Sequence, residues 1–213
     1  MAAVHGLDAI SLIAAKPIRP TDQQRWTDWL VAHADSHGGE LWRLLDPAPA
    51  GRPGAGHSHV VHLPTSSSAD FDAATELARD AVGGGAAHVE IQRDGWRRAG
   101  DGLQTDSTTD VTGLIIAHVL CADPRRTDEW DAWYDQQHLP DMMGSDAFVA
   151  GSRWRRAEPR TGGANHLTIY EVAGISVGEA IERSAAVMPQ LVAEGRKHDS
   201  HAGGLTWALE RVR

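Results

Sequence analysis

One order of elements, met twice in succession, constrains this chain more than any single motif. Residues 8–16 read as a short apolar strand ended by Pro17 and Pro20. Thr21 and Gln24 then form a capping box that opens a helix over 22–34. Strands follow at 40–45 and 57–63, a helix at 69–82 stopped by Gly83, and a strand at 88–96. After a polar stretch over 100–109 the order starts again. Strand 113–120, helix 127–139, strands 148–156 and 166–172, helix 178–198 and strand 205–212 complete it. Local wording agrees: Thr21-Asp-x-x-x-Trp26-x-x-Trp29 parallels Thr127-Asp-x-Trp130-x-x-Trp133, and Leu41-Trp42-Arg43 parallels Arg153-Trp154-Arg155.

A β-α-β-β-α-β unit of about 100 residues is the split βαβ, ferredoxin-like arrangement, an α+β sandwich with both helices on one sheet face. Two tandem copies are expected, over residues 1–100 and 112–213, joined by a linker at 101–111. Each copy leaves an apolar sheet face bare, and such a face seeks a partner. Two copies in one chain can cover each other and close a barrel inside one molecule, leaving a monomer with a pseudo-dimeric barrel or a homodimer of such chains. The functional site is expected inside that barrel.

The bulk numbers exclude several classes. A net charge of −9 over 213 residues argues against non-specific nucleic-acid binding, which needs a basic surface. No apolar run approaches the roughly 20 residues that span a bilayer. The single cysteine, Cys121, rules out an internal disulfide and fits a reducing cytoplasm, the expected location.

Candidate chemistry concentrates in the second half. On the helix over 127–139, Trp130, Trp133, Tyr134 and Gln137 share a face, with His138 at its edge beside Asp131 and Asp135. Thr127 is the expected N-cap, and Pro140 is expected to break the helix near Leu139. Strand alternation gives His118 one face with Leu114 and Ile116, and it groups His166, Thr168 and Tyr170. These groups, with Arg153 and Trp154 from alternate faces of the neighbouring strand, suit a semi-polar pocket. The first half lacks a counterpart of His138-Leu-Pro140, reading His33-Ala-Asp-Ser-His37 instead, so it is expected to be the degenerate, structural copy.

With those residues in view, the chain resembles the dimeric α/β-barrel superfamily and its EthD-like members. The resemblance rests on Trp133-Tyr134-x-x-x-His138-x-Pro140 after a strand, followed by Phe148-x-x-x-x-Arg153-Trp154. It covers the second half in sequence and the first in topology. It implies the barrel fold, and it makes His138 the first polar residue to suspect. The superfamily spans cofactor-free oxygenases, cyclases, isomerases, dehydratases and haem enzymes.

The resulting expectation is a small cofactor-independent enzyme in which His138 moves a proton on an aromatic or polyketide-like carbonyl compound, as a lyase or isomerase. Asp135 orients the imidazole in this reading. Tyr170, His118 or Arg153 polarises the carbonyl, and Trp130, Trp133, Tyr134, Trp154, His166 and Thr168 bind the substrate. Three alternatives stand beside it: a cofactor-free monooxygenase, a haem enzyme with His118, His166 or His138 as axial ligand, and a non-catalytic small-molecule binder. No metal site is expected, because His57-x-His59-x-x-His62 and His198-x-x-His201 lack partners at ligand spacing and read as solvated histidines. Gly174-x-Ser176-x-Gly178 mimics a nucleophile elbow, but Ser176 with Glu179 is a capping box, which explains the serine without catalysis.

Overall fold

The computed structural model describes residues 4–17, 27–28, 31–32, 34, 39–45, 59–64, 89–161 and 163–212. The frame is eight strands: β1 Ala9–Pro17, β2 Glu40–Leu44, β3 His59–Pro64, β4 Val89–Gln104, β5 Val111–Cys121, β6 Ala150–Arg156, β7 His166–Ala173 and β8 His201–Arg211. Neighbours pair antiparallel in the order β1-β3-β2-β8-β5-β7-β6-β4, and β4 returns to β1, so the sheet curls into a closed barrel. Closure removes the exposed edges that an open sheet must protect. The first four strands lie as β4-β1-β3-β2 and the last four as β8-β5-β7-β6, and the halves meet at β2–β8 and β4–β6. The α+β class and the split strand order are those read from the sequence. Most of the expected helix at 22–34, all of that at 69–82, and the side chains of the His57, His59 and His62 cluster lie outside the described residues.

The largest departure concerns β4, which is expected to stop near Trp96. It continues to Gln104 through an irregularity after Ala99, beyond which Leu103 and Gln104 resume pairing with Gly151 and Ala150 of β6. Gly100 and Gly102 take φ of +74° and +71° there, a shape glycine adopts at little cost. The Gly/Asp composition that reads as a linker therefore encodes a bulged strand.

The helix over residue 127 also differs from its reading. It is a rod of three pieces: α1 Thr127–Trp133, a π turn Tyr134–His138, and α2 Leu139–Met143. Thr127 does not cap it. A 3-10 turn, Pro124–Arg126, precedes it, and Asp123 caps that turn by accepting from the Arg125 N–H at 3.1 Å. Nor does Pro140 end it. Leu139 keeps helical dihedrals of −62° and −46°, and its N–H donates five residues back, to the Tyr134 carbonyl. The wider turn shifts the hydrogen-bond register by one residue, which accommodates a proline ring and its missing donor. The last helix, α3 Val177–Ala193, is capped by Ser176, whose hydroxyl accepts from the Glu179 N–H at 3.1 Å, so the apparent nucleophile elbow is a cap.

Alternation along the strands sorts side chains into two cores. Inside the barrel, Trp42, Trp96, Trp154 and Trp207 pack with Leu114 and Ile116, each tryptophan at most 3% exposed. Outside it, Ile115, Phe148, Tyr170 and Ala208 pack against Tyr134 and Leu139 of the rod and Val177 of α3. Gly151 sets how closely the rod lies, since a Cβ there would stand 2.8 Å from Leu139 Cδ1.

This layering overturns the expectation that the site lies within the barrel. On β7 the inward positions are Leu167 and Ile169, while Thr168 and Tyr170 face the helices. Four indoles occupy the space a ligand would need. Trp154→Ala should therefore cost about 3–5 kcal/mol of stability in urea denaturation, as large-to-small core changes do. A loss under about 1 kcal/mol would contradict a packed barrel interior.

Candidate active site

A cavity of about 320 Å³ lies between the outer face of β5 and β8 and the two helical elements, the rod and α3. Ile115, Val119, Met142, Phe148 and Met188 give it apolar walls. Tyr134, His138, Tyr170, His201 and Thr206 supply the polar groups. Few convergent polar groups in an apolar cleft are what a small-molecule site requires. Its floor opens where β5 and β8 slip register between Ala117 and Val119, beside Gly203 and Gly204. His118 lies behind that gap on the inner face, its ring 4.8 Å from that of Trp207 and 6.0 Å from that of Trp96.

The π turn delivers His138. Its ring stacks on Trp133 at 4.9 Å, meets Tyr134 edge-on at 4.7 Å, and stands 5.4 Å from the ring of His201. Burial, followed by the nearby His201 and Arg153, pushes its pKa down to about 3. Burial, followed by Lys197 and His198, pushes His201 down to about 4. Both imidazoles are therefore uncharged at neutral pH. His118 is fixed differently: its Nδ1–H donates to the Leu205 carbonyl at 3.2 Å, and burial also lowers its pKa.

Tyrosines form the other polar wall. The Thr168 hydroxyl donates to the Tyr134 hydroxyl at 2.7 Å, and burial raises the pKa of both Tyr134 and Tyr170. The Tyr170 hydroxyl is buried and faces that of Tyr134, and among the described residues it has no closer partner. It stays protonated at neutral pH.

Beneath the rod sits a buried ion cluster. Arg153 is 2% exposed; it pairs with Asp131, with Asp135 at 2.8 Å, and donates to the Asp131 backbone carbonyl at 3.2 Å. Its guanidinium also lies 4.6 Å from the Tyr134 ring centroid and 5.3 Å from that of Trp130. Arg155 adds a second contact to Asp131. The cluster pins the rod to β6, and with it the azimuth of Tyr134 and His138.

Of the residues singled out in the sequence, His138, Tyr134 and Tyr170 converge on the cavity. The others take different places. Arg153 and Asp135 satisfy each other, so Arg153 does not polarise a carbonyl and Asp135 does not orient His138. Trp154 belongs to the barrel core, and Thr168 acts through Tyr134. Trp130 is wholly buried between rod and sheet, edge-on to His166, and Trp133 backs His138. Sequence reasoning missed His201, taking His198-x-x-His201 as solvated. β8 begins at His201, four residues before the apolar run from Leu205 by which the strand is read, so the sequence carried no signal for it.

The described residues do not fit a haem. The lining holds no Lys or Arg to meet carboxylate arms, and about 320 Å³ is at the small end of ligand pockets, roughly 300–1,000 Å³. Of the three proposed axial ligands, His138 lines the cavity, whereas His118 is held by Leu205 and His166 packs on Trp130 away from it. Among the described residues, no group of three or more His, Cys, Asp or Glu is placed to hold a metal ion. None of their helices is long and apolar enough to cross a membrane.

No family model matches the chain, and no curated protein matches its sequence. Solved structures match it along nearly its whole length. A candidate monooxygenase from Fusobacterium nucleatum superposes with a TM-score of 0.62 at 8% identity, covering 97% of this chain and 94% of that one. An anthrone oxidase-like protein gives 0.60 at 14%, covering 98% and 93%. The encapsulated DyP-type peroxidase of Mycobacterium smegmatis gives 0.65 at 11%, covering 95% and 92%. The fold is that of the dimeric α/β barrels. At these identities the likeness defines architecture, and chemistry has to be argued from the site.

Two measurements check the site's electrostatics. Arg153→Ala leaves Asp131 buried without its main partner and should cost about 3–5 kcal/mol in chemical denaturation. His138 has a folded pKa below its unfolded one, so the unfolded chain binds more protons and stability falls as pH drops from about 6.5 toward about 3. The difference in unfolding free energy between wild type and His138→Gln should therefore shift against wild type, by up to about 1.4 kcal/mol per pH unit, between pH 6 and 4. A pH-independent difference would mean that the imidazole is solvated.

Proposed function

We propose that this chain is a cofactor-independent oxygenase of a small, electron-rich aromatic compound bearing an acidic C–H or O–H, with His138 as the base. We further propose that its two halves descend from a duplicated ferredoxin-like unit, the second carrying the site. The observation that carries the catalytic reading is a pair of uncharged imidazoles, His138 and His201, facing an apolar cavity beside a protonated Tyr170. The monooxygenase and anthrone oxidase-like neighbours favour oxidation over the isomerase, dehydratase or cyclase chemistry that would begin with the same proton transfer.

His138 accepts the proton, and the resulting imidazolium lies beside a desolvated carbanion or phenolate. A bare imidazole with a pKa near 3 is a poor base before substrate enters, but an anionic product of proton transfer raises that pKa by pairing with it. Tyr170 donates to the oxygen on which charge develops. The electron-rich anion then reduces dioxygen. For a ring methylene, one dioxygen molecule converts the methylene to a ketone and leaves one water. Two C–H bonds and the O–O bond break, a carbon–oxygen double bond forms, and the second oxygen takes both hydrogens away as water.

The test is anthrone in air-saturated buffer, followed with an oxygen electrode and mass spectrometry. One dioxygen should be consumed per ketone formed. His138→Ala should lower the rate by about 100-fold or more while anthrone affinity stays within a few-fold, the usual weight of a general base. Wild-type turnover that His138→Ala leaves intact would remove His138 from the mechanism. A Soret band in the purified protein would replace this reading with a haem enzyme, and tight ligand binding with no turnover would make the chain a binding protein.

A further inference from the structure

We infer a second binding site in the barrel mouth at the start of β5, built for a small organic ammonium ion that also carries an acceptor oxygen. A cavity of about 200 Å³ lies there, formed by Glu40 and Trp42 of β2, Leu114 of β5, Glu171 of β7 and Arg211 of β8. It holds about seven waters' worth of liquid volume. It belongs to the inner face of the sheet, whereas the His138 cavity lies on the outer face.

Three observations define the occupant. Glu171 is 2% exposed, and its carboxylate accepts from the backbone N–H of His5 at 2.7 Å. Among the described residues no cation is in salt-bridge contact with it. Arg211 is taken up by Glu40, and Arg98 by the carbonyl oxygens of His5 and Asp101. Burial raises the pKa of Glu171, and the charge of Glu40 adds to that shift; the His5 N–H and the charge of Arg98 oppose it without cancelling it, so an incoming cation relieves what is left. Trp42 lines the same cavity, with the Arg211 guanidinium 5.9 Å from its ring centroid. It is 1% exposed, and among the described residues its indole N–H has no hydrogen-bond partner, which calls for an acceptor. A cation beside Glu171 and an oxygen on Trp42 Nε1 satisfy the two demands together.

The experiment uses three probes built on the same four-carbon chain, 4-amino-1-butanol, n-butylammonium and 1-butanol, titrated into 15N-labelled wild-type protein at pH 8. The indole resonance of Trp42, identified by its absence in Trp42→Phe, is the reporter. Saturable shifts are expected with the amino alcohol, weaker binding with butylammonium, and none with butanol. Glu171→Gln should weaken the amino alcohol by about tenfold or more, the worth of a charge-assisted hydrogen bond. Butanol binding as tightly as the amine, or an affinity unchanged in Glu171→Gln, overturns the proposal. Should Glu171→Gln fail to fold, the order of the three probes on wild type decides alone.

Discussion

The contact on which the helical half of the site depends is the ion cluster of Arg153 with Asp131 and Asp135. It places a fully charged guanidinium under a helix, sealed by the faces of Tyr134 and Trp130. Such clusters are poor sources of net stability, because desolvation offsets most of the Coulombic gain. Their value is geometric. An arginine held by two carboxylates and a backbone carbonyl permits one rotation of the helix about its axis, and apolar packing alone is more tolerant of sliding. The π turn begins one residue after Trp133, so its direction is inherited from that anchor. Deleting the anchor would leave the barrel its core and take the aim from the imidazole.

The tryptophan-filled interior has the complementary effect. With Trp42, Trp96, Trp154 and Trp207 meeting inside, the barrel has little room left for chemistry at its centre and becomes a rigid support. The cavity forms instead on the outside, where helices stand off the sheet and where β5 and β8 fall out of register. Rigid elements then hold every polar group of the site: His201, Thr206 and Tyr170 on strands, Tyr134 and His138 on the helical rod.

Much of this architecture was legible in the sequence, and the reasons differ from element to element. Strands β5 and β7 showed as apolar runs of strand length, and the repeated order of elements implied the strand sequence of the barrel. His138 stood out because of the aromatic helix that carries it. What failed was assignment of sides. Alternation says that Thr168 and Tyr170 share a face but not which face is inward, and that depends on which set packs against tryptophans from distant strands. Asp135 beside His138 looked like an acid–base pair for the same reason: local spacing cannot show that Arg153, 18 residues on, claims the carboxylate first. The π turn has no periodicity of its own, and Pro140 read as a stop because the widened turn that admits it is visible only in three dimensions.

That π turn separates two properties which usually travel together. A π segment carries one residue more than the α turn it replaces, and the helix on its far side is rotated by about 100° as a result. Removal of one residue from Tyr134–His138 would restore an ordinary helix, and neither α1, anchored by Arg153, nor the strands would need to change. The imidazole would simply point elsewhere. In such a chain the scaffold and the reactive group are encoded in separable stretches, and a single-codon insertion is a large enough step to turn a plain helix into one that aims a histidine into a cavity.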